Sequence, residues 1–372
     1  MAAREGDGYL LVSRTGKRSQ VTGPITRNID ESLDAGAPTP ELSRLAAAHP
    51  ALAELVTWLG TPAFPLTRGD VVRLDGFDTL FLELLGRCNE RCVHCYADSA
   101  PTVGDALERD LVLSIIEQAA EAGFRRIQFT GGDPLLCDFL PDAVARANDL
   151  GIRHREIYTN GLALSEGLLA ELAPGRPSFA FSFYSIDPEV HDRITRTPGS
   201  QRRTLAAIDR VVARGLKCRA AVVVMEQNAE RVEELVAFLR ERGVGFVSWS
   251  RTFAVGRGTE VATTGDSGGV GQVNVAGAEV GGHSAPGERA GMGKLCVTYT
   301  GDLVPCIFQR QSVLGNVRSG LRLSEILAAN GNGPGRRGLP MAAPEEARRR
   351  LQCSSCRLTD MALGWLGTGG AP

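Results

Sequence analysis

The sequence predicts an α/β fold: a partial (β/α)6 TIM-like barrel, with a small α+β unit before it and a cysteine-rich domain after it. Three observations predict it. Six short apolar runs alternate with helical patterns between Thr79 and Ser250. A cysteine triplet and a Gly-Gly turn directly follow the first two of these runs. Four of the nine cysteines fall in the last quarter of the chain. Repeated βα order implies parallel strands with helical crossovers. A parallel barrel carries its chemistry on the loops at the C-terminal ends of its strands. Both the triplet and the Gly-Gly turn would lie on that face.

Residues 1–75 read as a separate unit. YLLVSRTGKRSQV gives two short strands around a Thr-Gly turn. Pro40 to Trp58 is helical in pattern, with Leu42, Leu45, Leu52, Leu55 and Trp58 as its apolar positions. Pro62 and Pro65 then break the pattern and suggest a linker. The barrel is assigned to residues 76–255. TLFLELLG is a buried strand, and Leu107, Leu111, Ile115 and Ala122 mark a helix that stops at Gly123. RRIQFT, REIYT, SFAFSFY, CRAAVVVM and VGFVSWS are the next five strands. A helix runs through Leu150 after the Gly-Gly turn, and others span Thr204–Arg214 and Glu230–Arg242. Residues 256–293 are rich in Gly, Ala, Ser and Thr and read as a flexible linker or loop. Residues 294–372 form the cysteine-bearing domain, with a hairpin-like GKLCVTYTGDLVPCIF and a helix near Leu321–Ala329.

The chain has 372 residues, 43% hydrophobic and 23% charged, which is ordinary for a globular protein. Its 41 Lys plus Arg and 43 Asp plus Glu leave a formal charge of -2. That balance gives no electrostatic reason for nucleic acid as the main partner. No apolar run is long enough to cross a bilayer, and the N-terminus has no signal-peptide core. The expectation is a cytoplasmic protein with no membrane partner. In a reducing compartment, clustered cysteines point to metal or redox chemistry.

Cys88, Cys92 and Cys95 spell CxxxCxxC directly after a strand. Three thiolates so closely spaced can hold three irons of a cubane cluster and leave the fourth open. Zinc would normally need a fourth protein ligand, and His94 is awkwardly placed beside Cys95. The next strand leads into Gly131-Gly132-Asp133-Pro134. Glycines let backbone approach a ligand closely, and Asp133 offers a carboxylate suited to an ammonium group.

On these two motifs the chain resembles the radical S-adenosylmethionine enzymes, over residues 78–255. The resemblance implies a [4Fe-4S] cluster on Cys88, Cys92 and Cys95, with S-adenosylmethionine on the open iron. It implies reductive cleavage to a 5′-deoxyadenosyl radical that takes a hydrogen from the substrate. His94 and Tyr96 would meet the adenine, and Gly131, Gly132 and Asp133 the methionine ammonium. Asp133 stands where the family usually has Glu. Thr159 and Ser182 match polar positions that reach the methionyl or ribose part. Arg196 would be a candidate partner for the carboxylate. Each of these three has a plainer reading as a strand-end cap or a surface side chain.

Cys296 and Cys306 flank a Thr-Gly-Asp turn, and Cys353 and Cys356 form CxxC. Four thiolates suit one zinc or one iron–sulfur cluster, and spacing alone does not separate them. CVTYTGDLVPCIF resembles the SPASM or shorter twitch region of such enzymes, which implies one auxiliary [4Fe-4S] cluster. Cys137 has two readings, a small buried core residue or a hydrogen-atom donor. The front unit resembles the peptide-recognition winged helix of peptide-modifying radical enzymes. That implies a ribosomally made precursor peptide as substrate, crosslinked or epimerised, and a flavodoxin- or ferredoxin-type electron donor. The alternative is a dehydrogenase or tailoring enzyme for a small molecule.

Overall fold

The structure, a computed structural model, describes residues 2–5, 8–12, 18–35, 37–47, 50–59, 72–73, 79–261, 270–274, 279–281 and 294–330. Cys353 and Cys356 lie outside them. The front unit holds β1 (Ala2–Glu5), β2 (Gly8–Val12), β3 (Arg18–Val21), α1 (Ile25–Ala35), α2 (Pro40–Ala46), α3 (Pro50–Leu59) and β4 (Val72–Arg73). Its sheet runs β3-β2-β1-β4, antiparallel except for the parallel β1–β4 pair. Tyr9, Ile29, Leu33, Leu42, Leu52, Leu55 and Leu59 close its core. The single helix expected over 40–58 is two. Proline cannot continue a helix but suits a first turn, so Pro50 starts a second one. Thr39 caps α2 by accepting from the Leu42 N–H at 3.1 Å. The strand Ala2–Glu5 escaped sequence reading because AARE carries no β-branched or aromatic residue.

The six expected barrel strands are all present: β5 (Thr79–Leu85), β6 (Arg126–Gly131), β7 (His154–Thr159), β8 (Ser178–Ser182), β9 (Cys218–Val224) and β10 (Phe246–Arg251). They pair in chain order and in parallel. Helices α4 (Arg109–Glu121), α5 (Leu140–Asp149), α6 (Glu166–Leu172), α7 (Pro188–Thr195), α8 (Ser200–Ala213) and α9 (Val232–Glu241) fill the crossovers. Strand alternation sorts the residues. Leu80, Leu82, Ile127, Phe129, Phe179 and Phe181 pack in the main core. Their neighbours Phe81, Gln128, Thr130 and Ser182 line a cavity instead.

The described part of 256–293, where a flexible linker or loop is expected, is regular. It holds a short helix α10 (Gly258–Val261) and strands β11 (Val270–Asn274) and β12 (Glu279–Gly281), which extend the sheet antiparallel beyond β10. VGQVN has a strand's spacing of valines, and the β10 edge supplies its hydrogen-bond partners. On the other side β13 (Lys294–Val297) pairs in parallel with β5, followed by β14 (Asp302–Val304), β15 (Gly315–Asn316) and α11 (Leu323–Ala329). The sheet is open, with β12 and β15 at its edges among the described residues. No helix there is long and apolar enough to cross a membrane.

Candidate active site

The loop after β5 carries the cysteine triplet. It is pinned by hydrogen bonds from the Arg91 N–H to Thr195 O (3.2 Å) and from the Val93 N–H to Ile194 O (3.0 Å), at the end of α7. Cys88 is buried, Cys92 and Cys95 are half-buried, and all three line one cavity of ≈ 240 Å³. Burial pushes the Cys88 and Cys92 thiols up, and the carboxylate of Glu90 adds to it. Without a counter-charge these sulfurs stay protonated. Yet Cys88 Sγ accepts from the Glu90 N–H at 3.4 Å and faces Asn160 Nδ2 at 3.7 Å, donors suited to a thiolate. Glu90 Oε1, His94 Nδ1 and Ser99 Oγ are buried around the same cavity without a hydrogen-bond partner. Among the described residues no three His, Cys, Asp or Glu side chains converge on one ion. A cubane cluster asks for something else, since each thiolate meets its own iron. The donor set fits such a cluster.

The Gly-Gly turn lies directly against this loop. Gly131 has φ +123°, and a Cβ there would stand 2.4 Å from Leu85 O. At Gly132 a Cβ would stand 2.0 Å from Arg87 O. The Gly132 N–H donates to Leu85 O at 2.6 Å, and the Asp133 N–H to Arg87 O at 3.0 Å. Only glycine allows that backbone-to-backbone approach. Gly132→Ala is therefore expected to displace the root of the cysteine loop and lower iron uptake during reconstitution to under half of wild type. An iron assay checks it.

Asp133 sits elsewhere than expected. Its carboxylate is fully buried behind the turn and is not part of the cavity lining. It accepts from Thr159 Oγ1 (2.7 and 2.9 Å), the Asn160 N–H (2.9 Å) and the Leu135 N–H (2.9 Å). One methylene shorter than Glu, it ties the exit of β6 to the exit of β7. Gly131 and Gly132 remain in the lining.

Burial raises the Asp133 pKa from 3.8 to about 6, against those hydrogen bonds. The folded chain then holds a proton that the unfolded chain has released. The contribution of Asp133 to stability is full below pH 3.8 and is lost as the pH rises through about 6. The loss is of the order of 3 kcal/mol. Asp133→Asn should remove that slope from urea midpoints measured across the interval. Equal slopes in both proteins would contradict it.

His94, Tyr96, Thr159 and Ser182 line the cavity with the three cysteines. The His94 ring meets Tyr184 edge-on at 4.8 Å. Burial, with the positive charge of Arg257, holds His94 down to about 4, so it is neutral at pH 7. Two expected residues are not brought in. Arg196 is exposed, at φ +54° as the C-cap of α7, and outside the lining. Cys137 packs in the main core, its thiol pushed up to about 12 by burial, and does not line the cavity. Its plainer reading, a small core residue, matches that placement.

The C-terminal segment reaches the same cavity. Cys306 lines it beside Ile307 and Phe308. Cys296 is buried on β13, paired with Val304 and packed against Phe81. Phe308 stacks on Phe253 at 4.3 Å and meets Tyr96 edge-on at 5.4 Å. Sequence reasoning missed the ion pairs. Arg310 forks onto the fully buried Glu83 at 2.6 and 3.1 Å. Arg219 forks onto Glu156 at 2.8 Å through both Nε and Nη2, and Gln128 donates to the same carboxylate at 2.5 Å. Arg219, Gln128 and Ser248 line the cavity. No local pattern marks such partners. Asn160, which also lines it, stands in the YTNG stretch next to an expected residue.

Residues 82–239 match the family model described as the radical SAM superfamily. The chain is 35% identical over 187 residues to a PqqA peptide cyclase of Xanthomonas campestris pv. campestris, covering 48% of each. It is 29% identical over 169 residues to a probable GTP 3′,8-cyclase of Methanosarcina mazei, covering 43% of this chain and 50% of that protein. The chain thus spans about half the length of the curated relatives it matches. Streptococcus suis SuiB, solved bound to the precursor peptide SuiA, shares the fold. Its TM-score is 0.57 at 15% identity, over 87% of this chain and 85% of that one. With the cysteine triplet and the Gly-Gly turn on one cavity inside the matched segment, the chain carries a radical SAM domain over residues 82–239.

Proposed function

We propose that the protein is a radical S-adenosylmethionine enzyme that modifies a ribosomally made peptide, forming a crosslink or an epimer. One observation carries the reading: the three cysteine thiols and Gly131-Gly132 line one cavity, inside the segment that matches the family. Cys88, Cys92 and Cys95 would hold the cluster, which when bound supplies the electron that turns S-adenosylmethionine into a 5′-deoxyadenosyl radical. The chain's own residues do the rest. The glycine turn offers backbone close to the cysteines for the methionyl end. Neutral His94 and half-buried Tyr96 offer flat apolar surface. Phe253, Phe308 and Trp249 wall the cavity and keep water from a radical. Gln128 and Arg219 give its far side a polar surface for a substrate group.

The peptide substrate is supported by the relatives named PqqA peptide cyclase. The front unit offers β3 as a sheet edge, along which a leader segment can add as a further strand. Cys296 and Cys306, with Cys353 and Cys356, would hold one auxiliary cluster that accepts an electron when net oxidation forms a crosslink. A flavodoxin- or ferredoxin-type protein would supply the electron for cleavage. The relation to a probable GTP 3′,8-cyclase favours a second reading, a small-molecule substrate.

Anaerobic incubation of the reconstituted chain with S-adenosylmethionine, dithionite and the peptides of its host separates the readings. A peptide that loses two hydrogens marks a crosslink. One that gains a solvent deuterium marks an epimer. 5′-Deoxyadenosine formed only with small molecules would move the assignment to the second reading.

A further inference from the structure

The turn after β10, Val255-Gly256-Arg257-Gly258, has no part in the roles above. It closes over the cysteine loop. Gly256 has φ +55°, and a Cβ there would come within 2.6 Å of both the Cys95 and Tyr96 carbonyl oxygens. The Arg257 N–H donates to Cys95 O at 3.0 Å. Its guanidinium donates through Nε to Cys92 O at 2.9 Å and through Nη2 to Ser99 O at 2.8 Å. The side chain is 13% exposed, and its ion-pair partner Asp98 stands 4.0 Å away and 60% exposed. Arg257 also lines the cavity. A fixed cation therefore lines the same cavity as the cysteines, bonded to the Cys92 and Ser99 carbonyls and with an exposed ion-pair partner.

We propose that Arg257 is a positioning residue for the cysteine loop and the fixed cation of the cluster site. It holds the carbonyls of two ligands and favours the reduced cluster. The inference rests on the reading that this loop binds a [4Fe-4S] cluster. Three thiolates give such a cluster a net negative charge, and one electron from dithionite makes it more negative without forming or breaking a bond. A nearby guanidinium in a poorly solvated cavity stabilises that added charge. The loop is also held by α7 through the Arg91 and Val93 N–H groups, by Asn160 on Asn89 Oδ1 at 2.6 Å and by Tyr299 on Ala97 O at 3.1 Å, and none of these brings a charge.

The test is anaerobic reconstitution of the full chain as wild type, Arg257→Gln and Arg257→Lys. Iron content is assayed, and the electron spin resonance signal that S-adenosylmethionine perturbs is followed through a dithionite titration. Arg257→Gln should need at least a tenfold higher reducing ratio for half-reduction, about 59 mV for one electron. Arg257→Lys should keep the potential near wild type with lower iron content, because an ammonium cannot fork between two carbonyls. A glutamine variant with wild-type potential overturns the proposal. Should that variant load no cluster, the lysine variant decides: a wild-type potential supports the fixed cation, and a shifted one overturns it. A wild-type chain that takes up no cluster overturns the proposed function instead.

Discussion

The variant in which Cys88, Cys92 and Cys95 are all alanine is expected to form no more 5′-deoxyadenosine than a protein-free control. Among the described residues, the three thiols are the cysteines that share the cavity with Gly131 and Gly132, apart from Cys306 on the C-terminal segment. Under the proposed function, removing them removes the electron source for cleavage, so the loss is total rather than graded. Iron content should fall with it, leaving whatever the second cysteine group holds. Cys137→Ala is the control. Its thiol packs in the core, so the change costs about 1 kcal/mol of stability and leaves 5′-deoxyadenosine formation in place. Coupled chromatography of the quenched reaction reads both. Residual formation in the triple variant would sink the assignment.

The largest effect on stability is expected at Arg310. Glu83 is fully buried on β5 and takes both arms of the Arg310 fork, with the Tyr299 N–H at 3.4 Å. Arg310→Met leaves that carboxylate in place without its cation. Breaking a buried pair from one side costs about 3–5 kcal/mol. Replacing both, as Glu83→Gln with Arg310→Met, should recover most of the loss, because no uncompensated charge then remains. Urea midpoints of the single and double variants measure this. A single variant within about 1 kcal/mol of wild type would show that the pair does not fasten β13–β15 to the barrel.

Much of the fold was legible in the sequence. The six barrel strands announced themselves as apolar runs, and the motifs sat where a parallel sheet puts its chemistry. What hid was long-range. Arg310 finds Glu83 across 227 positions, and Arg257 finds Cys92 across 165, with no periodicity to mark either. The glycine-rich stretch hid β11 and β12 because strand propensity there is weak and the pairing edge comes from β10. At the site, the cysteines and glycines were readable because each spacing has few other uses. Asp133 was readable as a carboxylate but not as one turned inward, since its direction follows from Thr159 and Asn160.

The pairing of β13 with β5 also orders events during synthesis. β5 sits between β6 and β13, so one edge of the first barrel strand waits for a partner made roughly 200 residues later. At ribosomal speeds of about 5–20 residues per second, that edge is open for roughly 10 to 40 s. An open apolar strand invites the wrong neighbour from another nascent chain. Glu83, a charge in the middle of TLFLELL, makes such a mismatch costly until Arg310 emerges to meet it. The residue that fastens the finished protein thus also guards the unfinished one.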